Sequence, residues 1–212
     1  MRVFEVVVGP FEMNSYIIAE DNHPECIIID PGDEPDEIIK TIDENKLKPV
    51  KIINTHNHID HARRVSIVQK HYDIPFLICE DDLPLLESIQ DQGVIFGLDA
   101  SEVPEVSSFL KDGDRFKLVD EDFLILQTPG HSPGSISIYT EGHVFVGDVL
   151  FRDSIGRTDL YGGNYETLMK SIREKLMTLP DNTKVYSGHG PTTTIGRERE
   201  FNPFINPTKS PY

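Results

Sequence analysis

The chain has 212 residues, long enough for an α/β domain with a sizeable core, and no shift of composition marks a second unit, so residues 1–212 are expected to form one domain. Its 36 acidic side chains against 20 basic ones leave a formal net charge of −16, a field that repels a phosphate backbone and argues against nucleic acid as a partner. No stretch is long and apolar enough to span a membrane, Met1 to Val8 is broken by Glu5 and reads as a strand instead of a signal peptide, and Cys26 and Cys79 sit in apolar runs that fit a reducing cytoplasm.

In chain order, strands are predicted over about 2–8, 13–19 and 25–29, with Gly9-Pro10 and Asp21-Asn22 as turns. Asp30-Pro31-Gly32-Asp33 stops the third strand, and Pro35 suits the first turn of a helix whose buried stripe is Ile38, Ile39 and Ile42. Pro49 to Ile53 reads as a short buried strand, and Ala62, Val65, Val68 and Tyr72 suit a helix that begins near Asp60. Pro75 to Cys79 is another strand. Asp81, Asp82 and Pro84 open a short helix carrying Leu85, Leu86 and Ile89, and Asp91 to Pro104 reads as a loop with a broken helical turn. Further strands are expected at about 114–119, 123–128, 135–140 and 143–147, with Glu141-Gly142 as a hairpin turn. Asn164 caps a helix running to Thr178, with Leu168, Ile172, Leu176 and Leu179 on one face, and Lys184 to Ser187 is the last strand. Strands followed by helices, twice over, predict an α/β fold: a four-layer αββα sandwich of two packed sheets with helices outside, built from two similar halves.

Between the strand ending at Ile53 and its helix lies Asn54-Thr55-His56-Asn57-His58-Ile59-Asp60-His61, which puts three imidazoles and a carboxylate within six residues. In an extended loop His56 and His58 point the same way and can share a cation. As the chain turns into the helix, Asp60 and His61 are re-aimed and can serve a second one. Any one of the four alone would read as a loop histidine or a helix cap; together they point to metal. Three later strands each end in a glycine beside a potential ligand: Pro129-Gly130-His131, Gly147-Asp148 and Ser187-Gly188-His189. Singly these are turn residues, but four strands delivering His or Asp at their C-terminal ends match where open α/β sheets place their sites. His23, His71 and His143 lack that context and read as turn, helix-end and hairpin positions.

The order His56-x-His58-x-Asp60-His61, then His131, Asp148 and His189, resembles the metallo-β-lactamase superfamily over essentially the whole chain, and within it the glyoxalase II branch of hydroxyacylglutathione hydrolases. The resemblance implies His56, His58 and His131 on one metal, Asp60, His61 and His189 on the other, and Asp148 bridging. It also matches Asp30 to an early aspartate that supports the metal loop; otherwise Asp30 caps the turn before Pro31. The donor set suits zinc, two per chain, and would also accept iron or manganese.

Two divalent cations so held bring the pKa of a shared water toward about 7, a nucleophile made without serine or cysteine, with Asp60 as the catalytic orienting group. No general acid stands out, which favours a leaving group able to depart as an anion, such as a thiol of reference pKa about 8.5. The expectation is a hydrolase for a small anionic thioester such as S-D-lactoylglutathione. Arg157 falls where longer glyoxalase II proteins carry a lysine that contacts glutathione, and Tyr161 on the same segment is a second candidate for substrate binding; alternatively Arg152 and Arg157 pair with Asp153 and Asp159. Longer members continue into a helical C-terminal region that grips glutathione, so the compact hydrolases of the branch are the nearer likeness. The alternatives are an oxidoreductase like the persulfide dioxygenases, with a single iron on two histidines and an aspartate, a lactonase or other ester hydrolase, and a non-catalytic metal-binding domain. Oligomeric state has no signature in the sequence.

Overall fold

Alternation along one strand sets the layers. On β3 (Glu25–Ile29), Cys26 and Ile28 face one core while Ile27 and Ile29 face another. The computed structural model describes residues 1–206; residues 207–212, the end of the expected domain span, lie outside the described residues. The first sheet runs β1 (Arg2–Val8), β2 (Met13–Ala19), β3, β4 (Lys48–Ile53), β5 (Phe76–Cys79) and β6 (Val106–Leu110) in spatial order. Its first three strands pair antiparallel and the last four, counting β3 again, pair parallel. The parallel connections carry α1 (Pro35–Glu44), α2 (Ile59–Ala62), α3 (Val65–Tyr72), α4 (Leu83–Glu87) and α5 (Ile89–Phe96). Ile38, Ile42, Val65, Val68, Leu86 and Ile89 of these segments pack on Ile17, Ile28, Ile52 and Phe76 to make the outer core of this half.

The second sheet has the order β14 (Thr193–Thr194), β13 (Lys184–Ser187), β10 (His143–Gly147), β9 (Ile136–Thr140), β8 (Glu121–Gln127) and β7 (Arg115–Leu118). On β10, Phe145 faces the first sheet, joining Tyr16, Ile27, Ile29, Ile53, Phe123 and Ile125. Its neighbours Val144 and Val146 face outward onto Leu168, Ile172, Leu176 and Ile195, carried by α6 (Tyr165–Ser171), the π-helical turn Ile172–Leu176 that extends it, and α7 (Ile195–Phe201). Each fully buried phenylalanine or isoleucine in these cores contributes about 1.5–3 kcal/mol. Three cores between helix, sheet, sheet and helix are the expected four-layer αββα sandwich. A short hairpin, β11 (Leu150–Phe151) with β12 (Ser154–Ile155), lies outside both sheets. Among the described residues no helix is long and apolar enough to cross a membrane.

The one helix expected from near Asp60 is two, α2 and α3, the helix expected to carry Leu85, Leu86 and Ile89 ends at Glu87 with Ile89 opening α5, and other segments also differ from expectation. Residues expected as the start of a loop after Asp91 continue α5, which ends at Gly97 in the left-handed region (φ 68). The helix hides Ile89, Gln92 and Gly93 and turns Val94 and Ile95 outward, so its apolar positions do not follow its buried face. Strand β6 was not expected because Ser107 and Ser108 interrupt its apolar run; pairing with β5 holds it in the sheet. The helix capped by Asn164, whose Oδ1 accepts from Thr167 N at 2.9 Å, becomes π-helical at Ile172, four residues after Leu168. Helix α7, whose polar sequence shows only Ile195 and Phe201 as large apolar residues, carries no amphipathic signal.

Candidate metal centre

Four strands open at one end of the sandwich and deliver the polar residues there. The loop after β4 carries His56 and His58 into α2, which begins at Ile59 with Asp60 and His61 in its first turn. The loops after β8, β10 and β13 deliver His131, Asp148 and His189. All seven side chains meet. His131 Nε2 lies 2.9 Å from His58 Nδ1 and 3.2 Å from His56 Nε2, while His189 Nε2 lies 3.1 Å from Asp60 Oδ2. Asp148 stands between the two groups, with Oδ2 3.7 Å from His131 Nε2 and 3.5 Å from His189 Nε2, and Oδ1 3.4 Å from His61 Nε2. Donor atoms within 4.8 Å of one another form three sets: His56, His58 and His131; Asp60, His61 and His189; and His56, His61 and Asp148.

These residues fit a metal ion in each triad. Ligands at about 2.0–2.1 Å around a tetrahedral cation sit about 3.3 Å apart, near the spacings found here. The buried His61 Nε2 and Asp148 Oδ1, which face each other in the cluster, have no hydrogen-bond partner, a costly arrangement for buried polar atoms unless something else satisfies them. Ring protonation is also fixed. His131 Nδ1–H donates to Arg157 O at 2.8 Å and His189 Nδ1–H to Phe11 O at 3.0 Å, since a carbonyl can only accept, so in the neutral form of each ring it is Nε2 that carries the lone pair a cation would take. Burial and the neighbouring His61, His131 and His58 hold His56 well below the usual histidine range, and burial with His131 lowers His58 to about 3, so both stay neutral. Burial would lower His61 too, but the carboxylates of Asp60, Asp148 and Asp30 outweigh it and raise the ring.

Three side chains hold the ligand loop. Asp30 accepts from Thr55 N and Thr55 Oγ1, both at 2.6 Å, and from His61 Nδ1 at 2.9 Å, so its carboxylate supports the metal loop, while the turn at Pro31 is closed by the backbone bond from Gly32 N to Asp30 O at 2.8 Å. Asn54 Nδ2 donates to His61 O at 3.0 Å. Asp82, fully buried, accepts from Asn57 N, Gly134 N and Ser132 Oγ and so ties the His56–His58 loop to the His131 loop. The sequence reading treated Asp82 only as a helix start, and the 3₁₀ turn Glu80–Asp82 does precede α4. The missed signal is topological: β5 runs parallel to β4, so a carboxylate just past its end opens beside the histidine loop. Glycine is required at 188, where a side chain would strike Asp148 and His61.

A cavity of about 490 Å³ opens over the cluster, with His58, Asp60, His131, Asp148 and His189 at its floor. Its walls are Phe11, Ile59, Phe96, Phe151, Ser154, Ile155, Arg157 and Leu160. Arg157 therefore reaches the site, and it also makes the ion pair foreseen for it: Nε and Nη2 meet Asp159 at 2.7 and 2.8 Å. Arg152 lies 3.8 Å from Asp153. Tyr161 is 69% exposed and is not part of the cavity wall. Away from the cluster, His143 Nδ1 meets Tyr186 Oη at 3.0 Å and His71 packs on Tyr72.

An αββα sandwich whose strand ends gather a three-histidine triad and an Asp–His–His triad around a common aspartate is the architecture of a metal-binding protein of the metallo-hydrolase kind. The description "Metallo-beta-lactamase superfamily" belongs to the family whose sequence profile matches residues 8–189, and the chain belongs to that superfamily. It is 42% identical over 211 residues to the probable metallo-hydrolase YqgX of Bacillus subtilis (strain 168), covering 97% of this chain and 98% of that one. It is 38% identical over 215 residues to the hydroxyacylglutathione hydrolase GloC of Haemophilus influenzae, covering 97% and 99%. Among solved structures it is similar to the B3 metallo-beta-lactamase BLEG-1 (TM-score 0.90, 35% identity, 97% and 100% covered) and to TTHA1623 in a di-iron-bound form (0.87, 37%, 95% and 100%).

Proposed function

We propose that this protein is a binuclear metallohydrolase that cleaves thioesters. His56, His58 and His131 would hold one divalent cation, Asp60, His61 and His189 the other, and Asp148 stands where it could serve both. The observation that carries the reading is the reach of Asp148, whose two oxygens lie within 3.4–3.7 Å of His61, His131 and His189 Nε2, donors from both triads. Zinc suits this mixture of imidazole and carboxylate, and iron is the other candidate, since the similar TTHA1623 is known in a di-iron form. When bound, such a pair supplies an acidified water and polarises a carbonyl oxygen.

The chain's own residues supply the rest. Asp60, in the cavity wall with Oδ2 3.1 Å from His189 Nε2, would orient that water and take a proton from it. A water oxygen bonds to the acyl carbon, and the carbon–sulfur bond breaks with its electron pair on sulfur. The proton on Asp60 passes to the thiolate or to solvent. A thiol of reference pKa about 8.5 leaves without prior protonation, and among the described residues of the cavity wall no titratable acid stands apart from Asp60, Asp148 and the histidines of the cluster. Similarity to a hydroxyacylglutathione hydrolase supports a small anionic thioester as the substrate, with Arg157 as the counter-charge, and the buried, unpaired Cys26 and Cys79 support a cytoplasmic location. Metal-loaded protein should cleave S-D-lactoylglutathione and lose that activity on chelation. A protein carrying its full metal complement that cleaves no thioester would end the proposal.

A further inference from the structure

We propose that the cavity presents two chemically different walls to its substrate, an apolar one at Phe11 and Phe96 and a cationic one at Arg157, and that the substrate is an amphiphilic thioester whose apolar acyl chain lies along the first. This rests on the thioesterase reading and narrows it. Phe11 is fixed beside the second triad, because its carbonyl accepts from His189 Nδ1. Its ring meets that of Phe96 edge to face, with centroids 6.0 Å apart, and the two rings are 42% and 41% exposed at the cavity wall. Ile95 and Val94, the two residues before Phe96 on α5, are 77% and 82% exposed and are not among the residues that line the cavity. Isolated apolar side chains on a surface are ordinary, but two rings packed on each other in the wall of a catalytic cavity mark a place where a ligand is desolvated.

Arg157 lies at the other end of the cluster. Its carbonyl accepts from His131 Nδ1, a member of the first triad, as that of Phe11 does from His189 in the second. Among the described residues it is the one lysine or arginine that lines the cavity, and its guanidinium is already paired with Asp159. A carrier thiol bearing several carboxylates thus meets a single, half-neutralised counter-charge in a protein of net charge −16. Selection for the substrate therefore falls on the apolar wall, which takes the acyl side, while the anionic thiol side points to Arg157.

The test compares metal-loaded protein on acetyl, butyryl and octanoyl thioesters of one carrier thiol, and measures acetate and octanoate binding by calorimetry. Each buried methylene is worth about fourfold, so kcat/KM should rise at least about tenfold from acetyl to octanoyl, and octanoate should bind more tightly than acetate by a similar factor. Phe96→Ser or Phe11→Ser should lower the octanoyl-to-acetyl ratio about tenfold. Equal kcat/KM across chain lengths, with octanoate no tighter than acetate, overturns the apolar wall and leaves the thioesterase reading standing. Tighter octanoate binding weakened by Phe96→Ser, with no thioester cleaved, upholds the wall and sinks the thioesterase reading. If Val94→Ser with Ile95→Ser changes only the oligomeric state by sedimentation, and octanoate binding is no tighter than that of acetate, this surface is an interface between copies and the proposal fails.

Discussion

The carboxylate of Asp82 accepts a hydrogen bond from the backbone N–H of Asn57 at 2.9 Å, reaching from the end of β5 into the middle of the histidine loop. It also accepts from Gly134 N at 2.6 Å and Ser132 Oγ at 2.9 Å, beside His131. One buried side chain thus sets the distance between the two loops that form the first triad. Asp82→Asn points an amide NH2 at one of these donors, and an unsatisfied buried group costs about 1–3 kcal/mol. The variant should unfold at lower temperature and bind its first-triad metal more weakly than its second, read by stepwise chelator titration. Wild-type melting together with wild-type metal retention at both sites would remove Asp82 from this role.

Asp30 acts on the second triad. As a carboxylate it can only accept, so it keeps the proton of His61 on Nδ1 and turns Nε2 toward Asp148, 3.4 Å away. Asp30→Asn can donate instead and so permits the wrong tautomer. Metal affinity should fall about 10–100-fold, measured by competition with a chromogenic chelator. An affinity equal to the wild type's would show that the ring needs no such partner.

Much of this centre was legible in the sequence because its residues are local or stand at strand ends. His56, His58, Asp60 and His61 share one loop, and His131, Asp148 and His189 each follow a strand with an adjacent glycine. The sandwich was legible for the same reason: Ile27 and Ile29 alternate with Cys26 and Ile28, which requires a core on each face. Asp82 was not legible, since its three donors lie 25, 50 and 52 residues away: the pairing of β4 with β5 brings Asn57 near, and Ser132 and Gly134 arrive only with the second sheet. Helix α5 was missed because Val94 and Ile95 face outward, and β6 because two serines break its pattern.

Arg157 is restrained by Asp159. The hydrogen bond from Arg157 lowers the Asp159 carboxyl to about 2. A depressed carboxylate pKa means a pairing present above the unfolded value, about 3.9, and lost only as the pH falls through the folded one. The pair is therefore intact at every pH used for thioester assays, and pH cannot free the guanidinium. Asp159→Asn can. KM for an anionic thioester should fall about two- to fivefold with little change in kcat, the scale of an exposed ion pair, and the gain should fade with added salt. An unchanged or higher KM would remove Arg157 from substrate binding.

The central claim is that seven side chains hold a pair of cations, and elemental analysis of the purified protein, dialysed against trace divalent metal, tests it most directly. About two metal ions per chain are expected, falling to about one or fewer in His58→Ala. A wild-type protein that retains one ion or none under these conditions would contradict it.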